Sequence, residues 1–178
     1  MVRPRLHLIC TAHLDPVWQW RWEEGIAEAL ATFRGAARLL AEHPDFVFTH
    51  NEALLYRWTA RLDPPLFAEI RRLVAAGRWA VGGGWELQPD LNLPGTESLI
   101  RHIREGQRYF RRHFGVRPRV AYNFDAFGHS GGLPQLLRAA GYEMYIHMRP
   151  QAGELELPAD LYRWRGVEGT ESLACRIA

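Results

Sequence analysis

Two alternating patterns of apolar and polar residues run along the chain. Short, mostly apolar runs, which are typical of buried strands, alternate with longer segments that carry an apolar residue every three or four positions, as amphipathic helices do. The strand-like runs lie at residues 5–12, 46–50, 78–81, 119–124 and 143–148. The helix-like segments lie at residues 23–42, 51–62, 63–77, 96–114 and 134–140. Two further strand patterns follow, at residues 161–165 and 172–177.

This alternation predicts the α/β class, in which βα units surround a parallel sheet or barrel. Residues 1–178 contain no internal repeat, low-complexity segment or linker, so we expect a single domain. Asp63 and Thr96 are the first residues of two of the helical segments and are predicted to cap them. Gly77 and Gly115 are predicted to end these helices, since glycine is common just after a helix.

Polar residues that can carry chemistry follow directly after the predicted strands. They are His13 and Asp15 after the first strand, residues 50–52 after the second, Asp90 after the third, Asp125 after the fourth and Arg149 after the fifth. In parallel α/β folds, ligands bind at the carboxyl ends of the strands. The pattern therefore predicts that these residues converge on one site.

His13 and Asp15 are the first candidates for a metal site. They are two positions apart, so on an extended segment both side chains point to the same side and can bind one cation, which we expect them to share with Asp125. A neutral imidazole with carboxylates suits zinc and, less selectively, other divalent metals. A histidine bonded to a backbone carbonyl beside a turn-forming Asp-Pro explains the same residues without a metal, and this alternative stays open.

Three tryptophans follow this segment, at positions 18, 20 and 22. Two of them are expected in the core or at the start of the next helix. One exposed indole beside polar groups would suit the apolar face of a sugar ring.

Asp125 lies in the stretch 123–132, at the end of an apolar run and before a glycine-rich turn. A strand fixes such a side chain while the loop behind it leaves it exposed, which favours a functional residue over a simple Asx turn. His129, within the turn, is expected to support the site through a hydrogen bond. Arg149 is either a surface arginine before a proline or, following the adjacent strand, a group that holds Asp125 ionised.

Composition excludes several other classes of protein. The net charge is only +2, and all 22 basic residues are arginines interleaved with glutamates along the helices, so we expect no nucleic-acid binding. Cys10 and Cys175 are too few and too far apart for a disulfide framework, which favours a reducing compartment. No apolar run approaches the ~20 residues of a membrane span. We therefore expect a cytoplasmic protein with no membrane partner.

Three motifs together resemble glycoside hydrolase family 38, the retaining α-mannosidases. The first is His-Leu-Asp-Pro-Val-Trp at residues 13–18. The second comprises Gly-Gly-Trp at 83–85 and Gln-Pro-Asp-Leu-Asn-Leu-Pro at 88–94, and the third is Asp-Ala-Phe-Gly-His-Ser at 125–130. The resemblance runs over essentially the whole chain. It implies part of a seven-stranded parallel β/α barrel-like domain, one Zn²⁺ ion and an α-mannoside or oligosaccharide substrate.

By this resemblance, His13 and Asp15 would be zinc ligands, and Asp125 would be both a ligand and the catalytic nucleophile. The family mechanism implies attack of Asp125 on the anomeric carbon and a covalent glycosyl-enzyme that water hydrolyses with retention. Zinc would bind the O2 and O3 hydroxyls of the sugar, and the axial O2 distinguishes mannose from glucose.

The resemblance also implies a set of substrate contacts. Trp18 and Phe127 would line the mannose subsite, and Arg149 matches an arginine that contacts the nucleophile. Asp90, in the second motif, is assigned to substrate binding. A homo-oligomer of the full-length enzyme stays an open option.

The chain departs from the family pattern in one respect. In the family, the last zinc ligand, a histidine, and the acid/base aspartate come well downstream of the nucleophile motif, whereas this chain extends only to Ala178. We therefore expect an N-terminal part of a longer enzyme. Because a general acid contributes ~10²–10⁴-fold to the rate, residues 1–178 alone are expected to have little or no mannosidase activity.

Two other functions are alternatives for this sequence. A polysaccharide deacetylase would use an aspartate with a His-x-x-x-His pair for its metal, and this sequence has no such pair. A non-catalytic remnant that binds zinc or sugar without turnover is compatible with the residues present, and this alternative stays open.

Overall fold

The computed structural model of the protein describes residues 8–177. These residues form two compact units. The single domain expected from the sequence stays a prediction. The first unit consists of residues 8–50 and 58–80, and the second of residues 51–57 and 81–177. Residues 5–7 of the predicted first strand lie outside the described part of the chain.

The first unit is built around a small sheet. Its elements are β1 (Cys10–Thr11), α1 (Trp22–Glu42), β2 (Phe48–His50), α2 (Ala53–Leu62), α3 (Pro64–Ala75) and β3 (Trp79–Val81), of which α2 and β3 have residues in both units. Over the described residues the strand order is β1-β2-β3, and β1 pairs with β2 in parallel. Every predicted element of this region is present, with shorter strands than the apolar runs indicated.

The helices are amphipathic, as the apolar spacing predicted. On α1 the buried residues recur every three or four positions, at Gly25, Ala29, Phe33, Ala36 and Leu40. Phe33 meets the ring of Trp79 edge-on, with 5.3 Å between the ring centroids. Among residues 8–177, no helix is both long enough and apolar enough to cross a membrane.

Two predicted helix caps have different outcomes. Asp63 caps α3, because its side chain accepts a hydrogen bond from the Leu66 N–H at 3.1 Å. This bond and the neighbouring Arg34 lower the pKa of Asp63. The prediction for Thr96 is wrong: Gly95 takes the extended N-cap conformation, with ψ 161°, and Thr96 is already the first helical residue.

The second unit contains a longer sheet covered by helices. Its elements are α4 (Thr96–Phe114), β4 (Val120–Asn123), α5 (Leu133–Ala139), β5 (Met144–His147), β6 (Leu161–Arg165) and β7 (Glu171–Arg176). In the described chain its strand order is β4-β5-β7-β6, with β4, β5 and β7 parallel. β6 is antiparallel to β7, because the short connection at residues 166–170 can only close a hairpin.

The core of the second unit connects α4, α5 and the loop before α4 to this sheet. Its buried residues are Trp85, Leu91, Leu99, Ile103, Ala121, Leu133, Leu137, Tyr142 and Tyr145. Trp85 also donates a hydrogen bond from Nε1 to the Tyr122 carbonyl at 2.8 Å, which ties the loop to β4. The predicted α/β class, with alternating βα units and parallel strands, is confirmed.

Candidate active site

Asp125 and Arg149 meet at the carboxyl ends of two neighbouring strands. Asp125 follows β4 and Arg149 follows β5, and the parallel pairing of Asn123 with His147 aligns the two strand ends. The Arg149 Nε donates a hydrogen bond to the Asp125 Oδ1 at 2.7 Å. The Arg149 guanidinium also lies over the Phe127 ring, 4.6 Å from its centroid. Three residues singled out from the sequence are thereby in contact within one unit.

This group is open to a ligand. The side chains of Arg149 and Asp125 are 29% and 38% exposed, and Phe127 is 76% exposed. A carboxylate that is oriented by an arginine can act as a base or as a nucleophile, and the exposed aromatic face beside it can stack against a ligand. The arrangement is therefore a candidate catalytic site.

Side chains hold the peptide groups on both sides of Asp125. Gln88 Oε1 accepts a hydrogen bond from the Phe124 N–H at 2.9 Å, and Asn123 Oδ1 accepts one from the Ala126 N–H at 3.3 Å. Because the backbone is bonded before and after Asp125, the direction of its side chain is restricted.

His129 lies behind this pair. Its Nε2 is 2.7 Å from the Arg149 carbonyl oxygen, and its Nδ1 is 3.0 Å from the Tyr145 hydroxyl. Burial lowers the pKa of His129, and the bond to the Arg149 carbonyl opposes this shift. Both ring nitrogens are engaged by protein groups, which agrees with a supporting position and not with direct substrate contact.

Asp90 shapes the loop between β3 and α4. Its Oδ1 accepts hydrogen bonds from the Asn92 and Leu93 N–H groups, both at 2.8 Å. These two bonds lower the pKa of Asp90 and close an Asx-type turn. Its assignment to substrate binding stays a prediction.

His13 and Asp15 follow β1 in the first unit. The His13 Nε2 and the Asp15 Oδ1 are 3.4 Å apart, and their side chains are 30% and 42% exposed. The Trp20 Nε1 donates to the Asp15 backbone carbonyl at 3.0 Å. Trp18 is 65% exposed and packs edge-on against Trp20, and Trp22 is 54% exposed. Trp22 is the first residue of α1 and Trp20 lies two positions before it, which agrees with the expectation that two of the three tryptophans lie in the core or at the start of the next helix.

His50 is a buried histidine at the end of β2 in the same unit. Burial, and then repulsion by His13, lower its pKa to about 3, so the ring is neutral at physiological pH. Its ring packs edge-on against Phe33, with 5.1 Å between the centroids. The sequence placed residues 50–52 at the site, and His50 serves the aromatic core of the first unit.

The chemistry of His13 and Asp15 fits zinc. In a tetrahedral site with metal–ligand bonds of about 2.0–2.2 Å, neighbouring donor atoms are about 3.3–3.6 Å apart. The 3.4 Å between His13 Nε2 and Asp15 Oδ1 lies in this range, and imidazole nitrogen and carboxylate oxygen are ordinary zinc donors. Among residues 8–177, no three His, Cys, Asp or Glu side chains converge closely enough to hold a metal ion.

Five residues that support Asp125 and Arg149 through hydrogen bonds were not predicted from the sequence. They are Gln88, Asn123, Tyr145, His147 and Tyr162. One signal was available for two of them: Tyr145 and His147 are two positions apart on β5, so both point to the same face. Gln88 depends on the path of the loop before α4, and Asn123 and Tyr162 depend on how β4 and β6 are placed, which no local pattern encodes.

Comparison with known proteins identifies the family. The sequence profile described as "Glycosyl hydrolases family 38 N-terminal domain" matches residues 3–178. The chain is 31% identical over 170 residues to Alpha-mannosidase G of Dictyostelium discoideum, covering 95% of this chain and 16% of that protein. It is 28% identical over 168 residues to Alpha-mannosidase of Saccharomyces cerevisiae, covering 93% of this chain and 15% of that protein.

A solved structure supports the fold. The crystal structure of an alpha-mannosidase from Enterococcus faecalis V583 matches with a TM-score of 0.85 at 19% identity, covering 96% of this chain and 20% of that chain. Asp125 and Arg149 lie at the carboxyl ends of parallel strands, where α/β enzymes bind their ligands. The matched family is one of glycoside hydrolases, and the chain belongs to it, glycosyl hydrolase family 38. It spans 15–16% of the length of these two curated relatives.

Proposed function

We propose that the protein carrying this chain hydrolyses terminal α-mannosides with retention of configuration, and that Asp125 is its nucleophile. The observation that carries the proposal is the 2.7 Å hydrogen bond from Arg149 Nε to Asp125 Oδ1 beside the exposed Phe127 ring. Family membership and the similarity to α-mannosidases over nearly the whole chain supply the substrate class.

The reaction proceeds in two steps. Asp125 attacks the anomeric carbon, forming a glycosyl ester while the bond to the leaving oxygen breaks and that oxygen takes up a proton from a general acid. Water then attacks the same carbon and passes one proton to the deprotonated general acid, while the ester bond breaks and releases the sugar and the free carboxylate. Two inversions give net retention. No residue of this chain is assigned as the general acid.

Arg149 prepares the nucleophile for the first step. The charge-assisted hydrogen bond from Arg149 Nε fixes the direction of one Asp125 oxygen and so orients the carboxylate. The Phe127 ring, with Arg149 over it, offers an apolar face to the C–H groups of the sugar. Trp18, on the first unit, offers the same kind of contact, and Asp90 has its second carboxylate oxygen for a sugar hydroxyl.

The configuration of the product tests this proposal. With an aryl α-mannoside, the first-formed sugar is expected to be α-mannose, observed by proton NMR before mutarotation. An aryl α-glucoside is the matched control and is expected to react at least about 100-fold more slowly, since a site built to bind a substrate hydroxyl rejects an analogue that misplaces it. First formation of β-mannose, or equal rates on both glycosides, would contradict the proposal.

Zinc is the cofactor that we propose, with His13, Asp15 and Asp125 among its ligands. The ligand set rests on the sequence motifs and on the donor chemistry of His13 and Asp15. When bound, zinc would supply a Lewis-acidic contact for two hydroxyl groups of the sugar.

Replacing His13 with alanine is expected to weaken zinc binding by at least about 100-fold, because it removes one of the proposed zinc ligands and leaves Asp15 without the adjacent imidazole donor. The measurement is zinc bound per protein by mass spectrometry across a series of buffered free-zinc concentrations. His43→Ala, an exposed histidine at the C-terminal end of α1, is the control and is expected to bind zinc like the parent. Equal zinc affinity of His13→Ala and the parent would exclude His13 as a ligand.

A further inference from the structure

Two histidines converge on the backbone carbonyl of Arg149. The carbonyl oxygen is 2.7 Å from His129 Nε2 and 2.8 Å from His147 Nδ1. The second nitrogen of each ring meets a tyrosine hydroxyl: His129 Nδ1 is 3.0 Å from Tyr145, and His147 Nε2 is 2.7 Å from Tyr162. The result is a symmetric chain of five groups, tyrosine–histidine–carbonyl–histidine–tyrosine.

The carbonyl at the centre of this chain determines the direction of every bond in it. A carbonyl oxygen can only accept, so His129 Nε2 and His147 Nδ1 must both carry hydrogens. A neutral imidazole has one N–H, so the other nitrogen of each ring must accept from its tyrosine. His129 is therefore the Nε2–H tautomer and His147 the Nδ1–H tautomer.

The surroundings favour neutral rings. Burial lowers the pKa of both His129 and His147, and the bonds to the Arg149 carbonyl oppose these shifts. The two rings are 5.0 Å apart between centroids, and Tyr145 is completely buried. At neutral pH each histidine thus has a single N–H group, and both are directed to the same oxygen.

We propose that His129 and His147 are positioning residues for Arg149. Their two hydrogen bonds use both lone pairs of its carbonyl and restrict the backbone from which its guanidinium reaches the nucleophile. The tyrosine hydroxyls select the tautomers that allow both rings to donate. This inference rests on the proposed function, in which Arg149 orients a catalytic carboxylate, and it assigns to these histidines no contact with the substrate.

The tautomers can be observed independently of any activity. A neutron crystal structure of the deuterium-exchanged protein that carries this chain is expected to show deuterium on His147 Nδ1 and His129 Nε2, and none on the opposite nitrogens. Deuterium on Nε2 of His147, or a carbonyl that contacts only one of the rings, would overturn the inference even if the enzyme proves to be an α-mannosidase.

Paired substitutions test the positioning role. An asparagine amide can replace a histidine Nδ1–H, and a glutamine amide can replace an Nε2–H, so His147→Asn and His129→Gln keep the donors that leucine removes. The leucine variants are expected to lower kcat on an aryl α-mannoside about 10-fold to 100-fold with KM within about threefold of the parent. The amide variants are expected to stay within about threefold of the parent kcat.

Tyrosine variants supply a matched pair. Tyr162→Phe removes the hydroxyl that fixes the His147 tautomer and is expected to lower kcat about threefold to tenfold. Tyr109→Phe removes a buried hydroxyl that makes no hydrogen bond among residues 8–177, and it is expected to leave kcat unchanged. Equal effects of the two variants would contradict a specific role for Tyr162.

The outcomes separate this inference from the proposed function. If Asp125→Ala removes turnover while both leucine variants keep the parent kcat, the nucleophile assignment stands and the positioning role is wrong. If the amide variants are as impaired as the leucine variants, the histidines do not act through their N–H groups. If a leucine variant fails to fold, the positioning role is tested by the neutron structure and by the comparison of Tyr162→Phe with Tyr109→Phe.

Discussion

Asp125→Ala is expected to lower kcat/KM on an aryl α-mannoside by at least about 10⁴-fold, because the variant lacks the group that forms the covalent intermediate. Arg149 and Phe127 remain in the variant. Because Asp125 is also a proposed zinc ligand, the assay is run at saturating zinc, where the loss should appear in kcat. The measurement is steady-state kinetics on the protein that carries this chain. Its circular dichroism spectrum and unfolding temperature should match those of the parent, since the Asp125 side chain is partly exposed.

The chain contains a matched control for this substitution. Arg119 and Glu143 form a second arginine–carboxylate pair between the same two strands, but at the amino ends of β4 and β5. Glu143→Ala removes an exposed ion pair of the same type and is expected to change kcat/KM by less than about twofold. Near-parent activity of Asp125→Ala would exclude it as the nucleophile. An equal loss of activity in both variants would show that the effect comes from disturbing the pairing of β4 with β5, and not from removing the nucleophile.

Gly106→Ala is expected to give the largest loss of stability. Gly106 lies inside α4, where the loop at residues 84–85 crosses the helix, and an added Cβ would lie 2.3 Å from both the Gly84 carbonyl oxygen and the Trp85 carbonyl carbon. Both of these atoms are backbone, so the loop itself would have to move. We expect the free energy of unfolding to fall by about 2–4 kcal/mol, despite the higher helix propensity of alanine.

Gly106→Ala should also disturb the backbone next to Asp125, because the same loop continues to Gln88, whose Oε1 accepts a hydrogen bond from the Phe124 N–H. Hydrogen exchange of peptides covering residues 84–91 and 103–110 measures the local loosening. Gly35→Ala is the control, since it adds the same atom inside α1 with nothing within 4 Å, and it should raise stability by about 0.5–1 kcal/mol. Equal stability of the two variants would show that the loop does not press on Gly106.

The local pattern predicted most elements because their causes are local. The apolar spacing over residues 23–42 predicted α1, and the apolar runs before Asp125 and Arg149 form β4 and β5. The errors are also local. Thr96 is a good capping residue, but Gly95 before it takes the extended N-cap conformation, so the helix begins at Thr96, one residue earlier than a Thr96 cap would place it.

The site was predicted in part. The sequence marked Asp125 and Arg149 because both follow strand-like runs, and strand ends are where α/β proteins bind ligands. Their hydrogen bond joins residues 24 positions apart, and it exists because β4 and β5 pair in parallel register. The motif resemblance supplied the proposed roles, which kinetics and metal analysis must test.

The sequence by itself determined the α/β class, the order of helices and strands and the family, since periodicity and motifs depend on neighbouring residues. Only the tertiary structure decided which side chains support the Arg149–Asp125 pair. His129 and His147 approach one carbonyl because a turn and a strand bring them together, and their tautomers follow from that shared acceptor. Hydrogen-bond direction depends on which partners fold into contact, and no pattern along the chain records it.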